Sequence, residues 1–245
     1  HRGGDYLLFW EFHRRYDEDE TMELFECELF EGLPEQDLKQ VRDSGGMVEL
    51  DEGDVLFERG DPGDELYLIL EGMVQVTIPD ELSDKDITLA LLAPGEILGE
   101  MAVLTGKDRS ADAEAVRPAR LFALQGEVFH ELTDERPELA VNLSKILGKR
   151  LWETDSEMQR VAFNTLRSRL AAQLLRLGEK FGKEVADGLK IDFELTHGML
   201  ADLVGTYRET ITKKISKLKE KDILGEADGQ ILIKQPDRLE RISKG

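Results

Sequence analysis

The 245-residue sequence has a single cysteine, Cys27, so no disulfide can close within the chain. Nor can a cysteine-based zinc or iron–sulfur site form in one copy. Four scattered histidines do not supply a metal set either. No run of about 18 apolar residues occurs, which excludes a membrane-spanning helix. A secretory pattern is absent, and the chain opens on His1-Arg2-Gly3-Gly4 without Met, as a trimmed end would. The Gly-x-Ser-x-Gly elbow, the P-loop and clustered metal ligands are all missing, so nothing points to an enzyme. A cytoplasmic protein without a membrane partner is the expectation.

Basic residues are scarce in the first two thirds. Residues 1–165 hold 16 basic against 39 acidic side chains, a charge of −23. Residues 166–245 hold 16 against 13, a charge of +3, and the whole chain stands at −20. The acidic body should repel nucleic acid, whereas the C-terminal part should not.

In chain order, residues 1–24 form an aromatic and charged N-terminal arm with no fixed period. Pro34, with apolar Leu38 and Val41 three apart, predicts a short amphipathic helix. From Met47 to Leu124 short apolar runs alternate with polar residues: Val48/Leu50, Val55/Phe57, Leu66/Leu68/Leu70, Val74/Val76/Ile78, Leu89/Leu91 and Leu121/Ala123. Glycines punctuate them, predicting an all-β barrel or sandwich, with Asp80–Asp86 as a solvated hairpin tip. Helical patterns begin at Gly126 and Arg136. The longest carries Leu143, Leu147, Leu151, Thr154, Met158 and Val161. Its later part is a narrow apolar seam, which needs either a partner helix or packing on its own β-domain.

The stretch from Ile97 to Ala113, ILGEMAVLTGKDRSADA, concentrates binding chemistry. Arg109 can grip phosphate oxygens with two parallel bonds, and backbone N–H groups in a tight turn favour an anion. Glu100, acceptor-only when ionised, suits a ribose hydroxyl. On spacing alone, a surface hairpin with a structural Arg–Glu pair is the alternative description. Gly99, Glu100, Met101 and Ala102, followed by Arg109, Ser110 and Ala111, resemble the phosphate-binding cassette of cyclic-nucleotide-binding domains. The resemblance implies a β-roll of jelly-roll topology and these residues around a cyclic nucleotide.

Phe163-Asn164-Thr165 is the expected hinge. Leu166, Leu170, Leu174 and Leu177 continue a helix to a break near Gly178–Gly182, and Ile191-Asp192-Phe193 reads as a short strand. Residues 196–218 then carry a helix–turn–helix pattern. Thr196 caps the first helix, Ala201 is small where two helices approach, and Gly205 permits the turn. Ile211, Ile215 and Leu218 should face inward, with Arg208, Glu209, Lys213, Lys214 and Lys217 on or near the opposite face. That face is either solvated charge or a DNA-reading surface. Arg pairs with guanine N7/O6, Glu accepts from cytosine, and lysines suit phosphates. Asp228-Gly229 between apolar runs marks a wing hairpin.

TYRETITKKISKL resembles the recognition helix of the CRP/FNR family of transcriptional regulators. Arg208, Glu209 and a basic residue at Lys213 match its motif. Tyr207 departs from the usual Ser, leaving Thr206 as an alternative cap. The resemblance implies an α+β chain divided at 25–135 (cyclic-nucleotide-binding β-roll), 136–163 (dimerisation helix) and 164–245 (winged helix–turn–helix). It implies a homodimer that binds duplex DNA and RNA polymerase under control of cAMP as allosteric ligand, with no covalent cofactor. Thr196, Thr206, Tyr207, Arg208, Glu209, Thr210, Lys213, Lys214 and Lys217 would contact DNA. Arg150, Thr154 and Asp155 fall where catabolite activators meet the purine. Thr154 matches, whereas Asp155 replaces Ser. Asp155 either accepts from an adenine 6-amine, which guanine cannot supply, or points to solvent. A regulator acting without cyclic nucleotide or on another metabolite, and a module that regulates an enzyme, are the other classes.

Overall fold

The computed structural model describes residues 27–79, 86–163 and 165–244, with the backbone alone for 156–163. The N-terminal arm, most of the 80–86 tip and Asn164 of the expected hinge lie outside the described residues. Two compact units form, one from the described residues up to Gln75 with Leu92–Gly148, the other from Val76–Leu91 with Lys149 onward.

In the first unit a 3-10 turn, Glu28–Phe30, buries Leu29 and Phe30. Helix α1 (Glu35–Ser44) follows Pro34, whose φ of −62° suits a helix start, and buries Leu38 and Val41 as their spacing requires. Strands β1 (Gly45–Leu50), β2 (Val55–Phe57), β3 (Glu65–Pro79), β4 (Asp86–Leu92), β5 (Ile97–Leu98) and β6 (Asp112–Gln125) come next, with β3 from Val76 onward and β4 up to Leu91 belonging to the second unit. They form one sheet in the order β1-β6-β3-β4, with β2 on β6 and β5 on β3. Pairing of β1 with β6 is antiparallel, Gly45 opposite Leu124 and Leu50 opposite Ala119.

The two strands expected at 66–70 and 74–78 are one. Gly72, read as punctuation, lies inside β3 with φ of 84°, and a Cβ there would come within 2.2 Å of the Pro118 carbonyl oxygen. It is a point of close backbone approach and not a turn.

The core joins Phe30, Leu68, Ile97, Phe122, Phe129 and Leu143. Phe129 comes from helix α3 (Gly126–Glu135), and Leu143 from helix α4 (Pro137–Phe163). Buried Asn142 donates to the carbonyls of Leu29 (3.2 Å) and Glu31 (2.8 Å), which pins α4 to the 3-10 turn. Arg136 forks onto the Asp37 carboxylate, tying the start of α4 to α1. The apolar stripe on α4 is therefore divided. Leu143 and Leu147 pack into this core, whereas Leu151 is 63 % exposed. Leu143 and Leu147 precede the later part read as a seam, and of the seam's side chains Met158 and Val161 lie outside the described residues.

In the second unit, helix α5 (Leu166–Phe181) is capped by Thr165, whose hydroxyl accepts from the Ser168 amide. It passes through Gly178 and ends within the expected interval. The strand expected at 191–193 is displaced: β7 (Gly182–Val185) and β8 (Gly188–Ile191) form a hairpin that precedes it. Every residue of β7 is exposed, so no apolar alternation announces it. Phe193 instead packs edge-on against Phe181, ring centres 5.3 Å apart.

Helix α6 (His197–Val204), helix α7 (Arg208–Glu220), strands β9 (Leu224–Ala227) and β10 (Gln230–Ile233), and helix α8 (Pro236–Ser243) complete the unit. The second sheet runs β7-β8-β10-β9. Asp228 and Gly229, with φ of 52° and 78°, make the tight β9–β10 turn that their sequence requires. Among the described residues no helix is long and apolar enough to cross a membrane.

Candidate functional site

The first unit gathers the cassette between β5 and β6. Gly99, with φ of 81°, turns the chain out of β5 into helix α2 (Glu100–Thr105). Glu100, Ala102 and Val103 face inward, while Met101 and Leu104 are exposed. Charged side chains are rarely buried without a reason, yet Glu100 and Arg109 are each only 5 % exposed. Arg109 donates through Nη1 to the carbonyls of Glu65 (2.8 Å) and Gly99 (3.1 Å). Its own backbone is locked, with the amide on the Asp61 carbonyl (2.8 Å) and its carbonyl accepting from Gly60 (2.9 Å).

Two features of this arginine bear on a ligand. Its Nε is buried and has no hydrogen-bond partner. It also forms no ion pair among the described residues. An unpaired buried donor costs about 1–3 kcal/mol, more when charged, which an incoming anion oxygen would relieve. Ser110 is exposed, with Oγ 3.7 Å from the Met101 sulfur. Of the cassette, the Gly99 carbonyl meets the Arg109 guanidinium, Ala102 lies with Arg109 against Gly63, and Glu100 is buried. Met101 and Ser110 stand at its exposed side.

Arg150, Thr154 and Asp155 stand on α4 in the second unit. The Thr154 hydroxyl donates to the Arg150 carbonyl one turn back (2.9 Å), and Asp155 is exposed.

In the helix–turn–helix, Thr196 caps α6 by accepting from the Met199 amide. Gly205 takes the left-handed conformation, φ of 69°, and Thr206 N–H returns to the Ala201 carbonyl (2.9 Å). The αL position accounts for the glycine there. Helix α7 begins at Arg208, with Tyr207 at the cap position and no capping side chain. Tyr207 rather than Thr206 thus holds the cap position, and Thr206 belongs to the turn.

Ile211, Ile215 and Leu218 are buried. The 3.6-residue period then puts Glu209, Lys213 and Lys217 on the exposed ridge, with Thr210 and Lys214 half-buried at its flank. Arg208, Lys213 and Lys217 form no ion pair among the described residues, so their charge is uncompensated locally. Tyr207 is 80 % exposed beside them. His197 Nδ1 lies 2.9 Å from the Thr212 hydroxyl, linking the two helices. Burial, with Lys219 and Arg208 nearby, holds its pKa below the ordinary histidine value, so the ring is neutral at neutral pH.

Sequence reasoning missed the residues that surround Arg109 from elsewhere in the chain. Its guanidinium lies 4.4 Å from the Phe57 ring centre and 5.5 Å from that of Tyr67. A Cβ on Gly63 would come 2.6 Å from Arg109 Nε. The alternating pattern of β2 and β3 marked Phe57 as a strand residue only. Nothing local links it to Arg109.

Residues 47–136 match the cyclic nucleotide-binding domain family, and residues 168–242 the Crp-like helix-turn-helix domain family. The chain is 36 % identical over 194 residues to the cyclic AMP receptor protein of Thermus thermophilus, covering 79 % of this chain and 86 % of the relative. It is 32 % identical over 195 residues to the global nitrogen regulator of Synechococcus elongatus, covering 79 % and 87 %. A solved CRP/FNR-family transcriptional regulator from Thermus thermophilus superposes with a TM-score of 0.70 at 32 % identity, covering 82 % of this chain and 99 % of that one.

Proposed function

This chain belongs to the CRP/FNR family of transcriptional regulators, and we propose that it is a cAMP-responsive homodimer that binds palindromic duplex DNA. It is a regulator with a cyclic nucleotide-binding domain and a Crp-like helix-turn-helix, not an enzyme. The observation that carries the ligand reading is the buried, partnerless Nε of Arg109. Arg109 would donate to the cyclic phosphate, with Ser110 assisting at the exposed side. Glu100 would accept from the ribose hydroxyl. Gly99, Met101 and Ala102 shape the turn that carries them. Thr154, Asp155 and Arg150 would meet the base, with Asp155 accepting from the adenine 6-amine and disfavouring the guanine carbonyl.

The exposed Leu151 supports a second copy along the later part of α4. Two α7 helices would then stand about 34 Å apart, one turn of duplex DNA. Arg208 and Glu209 would read base edges from the major groove. Thr196, Thr206, Tyr207, Thr210 and Lys213, Lys214, Lys217 would hold phosphates or flank the reading pair. The nucleotide acts only to the degree that it favours the DNA-competent arrangement. Once on DNA in the cytoplasm, the regulator would contact RNA polymerase.

A second anionic metabolite is the competing reading, because Arg109 would donate to any anion oxygen and the relatives include global nitrogen regulators. Calorimetry with cAMP and cGMP separates the two. Micromolar-range heat with cAMP and weaker heat with cGMP is expected, and silence from both defeats the nucleotide reading. Anisotropy with a randomised duplex pool, with and without cAMP, tests the DNA half. Enrichment of a palindrome only with nucleotide is expected.

A further inference from the structure

A buried guanidinium ordinarily needs a carboxylate, because burying an unpaired cation is costly. Arg109 has none among the described residues. Glu65 offers Arg109 only its backbone carbonyl. Its carboxylate is turned elsewhere, taking the Tyr67 hydroxyl (2.6 Å) on Oε2 and Gln125 Nε2 (2.5 Å) on Oε1. In place of a counter-charge, the cation meets two aromatic rings. Phe57 and Tyr67 lie 6.0 Å apart, tilted by 31°, and the guanidinium carbon is 4.4 Å from one ring centre and 5.5 Å from the other.

A ring face attracts a cation without neutralising it. The hydrogen bond to Glu65 fixes the Tyr67 ring, and burial pushes the tyrosine pKa up, so its hydroxyl stays a donor. On the remaining side Gly63 leaves room for Arg109 that a Cβ would fill.

We propose that Phe57 and Tyr67 are positioning residues that hold Arg109 as a buried, un-neutralised cation and so reserve its charge for a ligand anion. This rests on the cyclic-nucleotide reading of the same pocket. A carboxylate in their place would stabilise the guanidinium equally well but compete with the phosphate. The aromatic pair stabilises the guanidinium while leaving its full charge available.

The test uses the full chain and two readouts. The first is cAMP affinity by calorimetry for wild type, Phe57→Leu and Phe57→Tyr. Leucine keeps apolar bulk but has no π face, whereas tyrosine keeps the face. Phe57→Leu should weaken cAMP about tenfold, and Phe57→Tyr should stay within about threefold of wild type. The second is the Arg109 Nε–H signal in a nitrogen–proton correlation spectrum, identified by its loss in Arg109→Lys. Ring currents should shift it in wild type and Phe57→Tyr, and Phe57→Leu should move it and speed its exchange with solvent.

If wild type binds cAMP and both Phe57 variants match it, or both weaken alike, the positioning role is wrong while the pocket reading stands. If wild type binds neither cAMP nor cGMP, the ligand reading fails and the Nε–H signal alone decides: unchanged in Phe57→Leu, it overturns the aromatic role; displaced, it upholds it. Phe57 is half-buried. Should Phe57→Leu nonetheless fail to fold, Phe57→Met is read in its place.

Discussion

Replacing Arg109 with leucine separates ligand binding from folding. In the free protein Arg109 holds two backbone carbonyls, those of Glu65 and Gly99. Leucine would leave both carbonyls without that donor, at a cost. It would also remove a buried cation that has no counter-charge among the described residues, which is a gain. The two terms oppose, so the β-roll should remain folded. Binding has no such compensation. Two charge-assisted bonds to phosphate oxygens at about 1.5–3 kcal/mol each amount to about 3–6 kcal/mol. That corresponds to a loss of roughly 10²–10⁴ in affinity. Arg109→Lys keeps the charge but loses the fork and should fall between. Calorimetry with cAMP gives the affinity, and circular dichroism checks the fold. A folded Arg109→Leu protein that binds cAMP within about threefold of wild type would refute the pocket assignment.

Four further outcomes are expected. Arg208→Ala should relax preference for guanine at one position of each half-site, by about 1–3 kcal/mol, in competition binding with point-mutant duplexes; equal weakening on every sequence would contradict base reading. Asp155→Asn can donate as well as accept, so it should narrow the gap between cAMP and cGMP in calorimetry; an unchanged ratio would place Asp155 away from the base. Thr196→Ala removes the cap on α6 and should destabilise the C-terminal unit by about 1 kcal/mol in denaturant melts. Hydrogen bonding from Arg136 holds the Asp37 carboxyl below the usual aspartate pKa. Its contribution to stability is therefore present at neutral pH and lost as pH falls through that depressed value. Asp37→Asn should melt earlier than wild type at pH 7, and the difference should close in strong acid; a gap independent of pH would rule out the ionic origin.

Several features were legible in the sequence because their cause is local. Thr196 followed by an apolar helical period specifies a capped helix, Gly205 supplies the left-handed turn, and Asp228-Gly229 supplies the hairpin. Burial of Ile211, Ile215 and Leu218 follows from their spacing alone, and so does the charged ridge opposite them. Where local signals misled, a distant contact had overridden them. Gly72 reads as a turn, yet it serves the approach of β3 to β6. Strand β7 has no buried residue to mark it and exists only because β8 pairs with it.

The apolar stripe of α4 shows the same division. Leu143, Leu147 and Leu151 share one spacing, yet the first two belong to the β-roll core and the third is exposed. Periodicity states which residues share a face but not what covers it.

By itself, then, the sequence determined which residue types could hold an anion and which could read DNA, since composition, spacing and caps act over a few residues. Only the tertiary structure decided that Arg109 is buried, that Glu65 turns its carboxylate away from it, and that Phe57 and Tyr67 stand against its charge. Those relations join Arg109, in the loop before β6, to side chains on β2 and β3 far from it in the chain, and the register of those strands is set by the packing of the whole sheet.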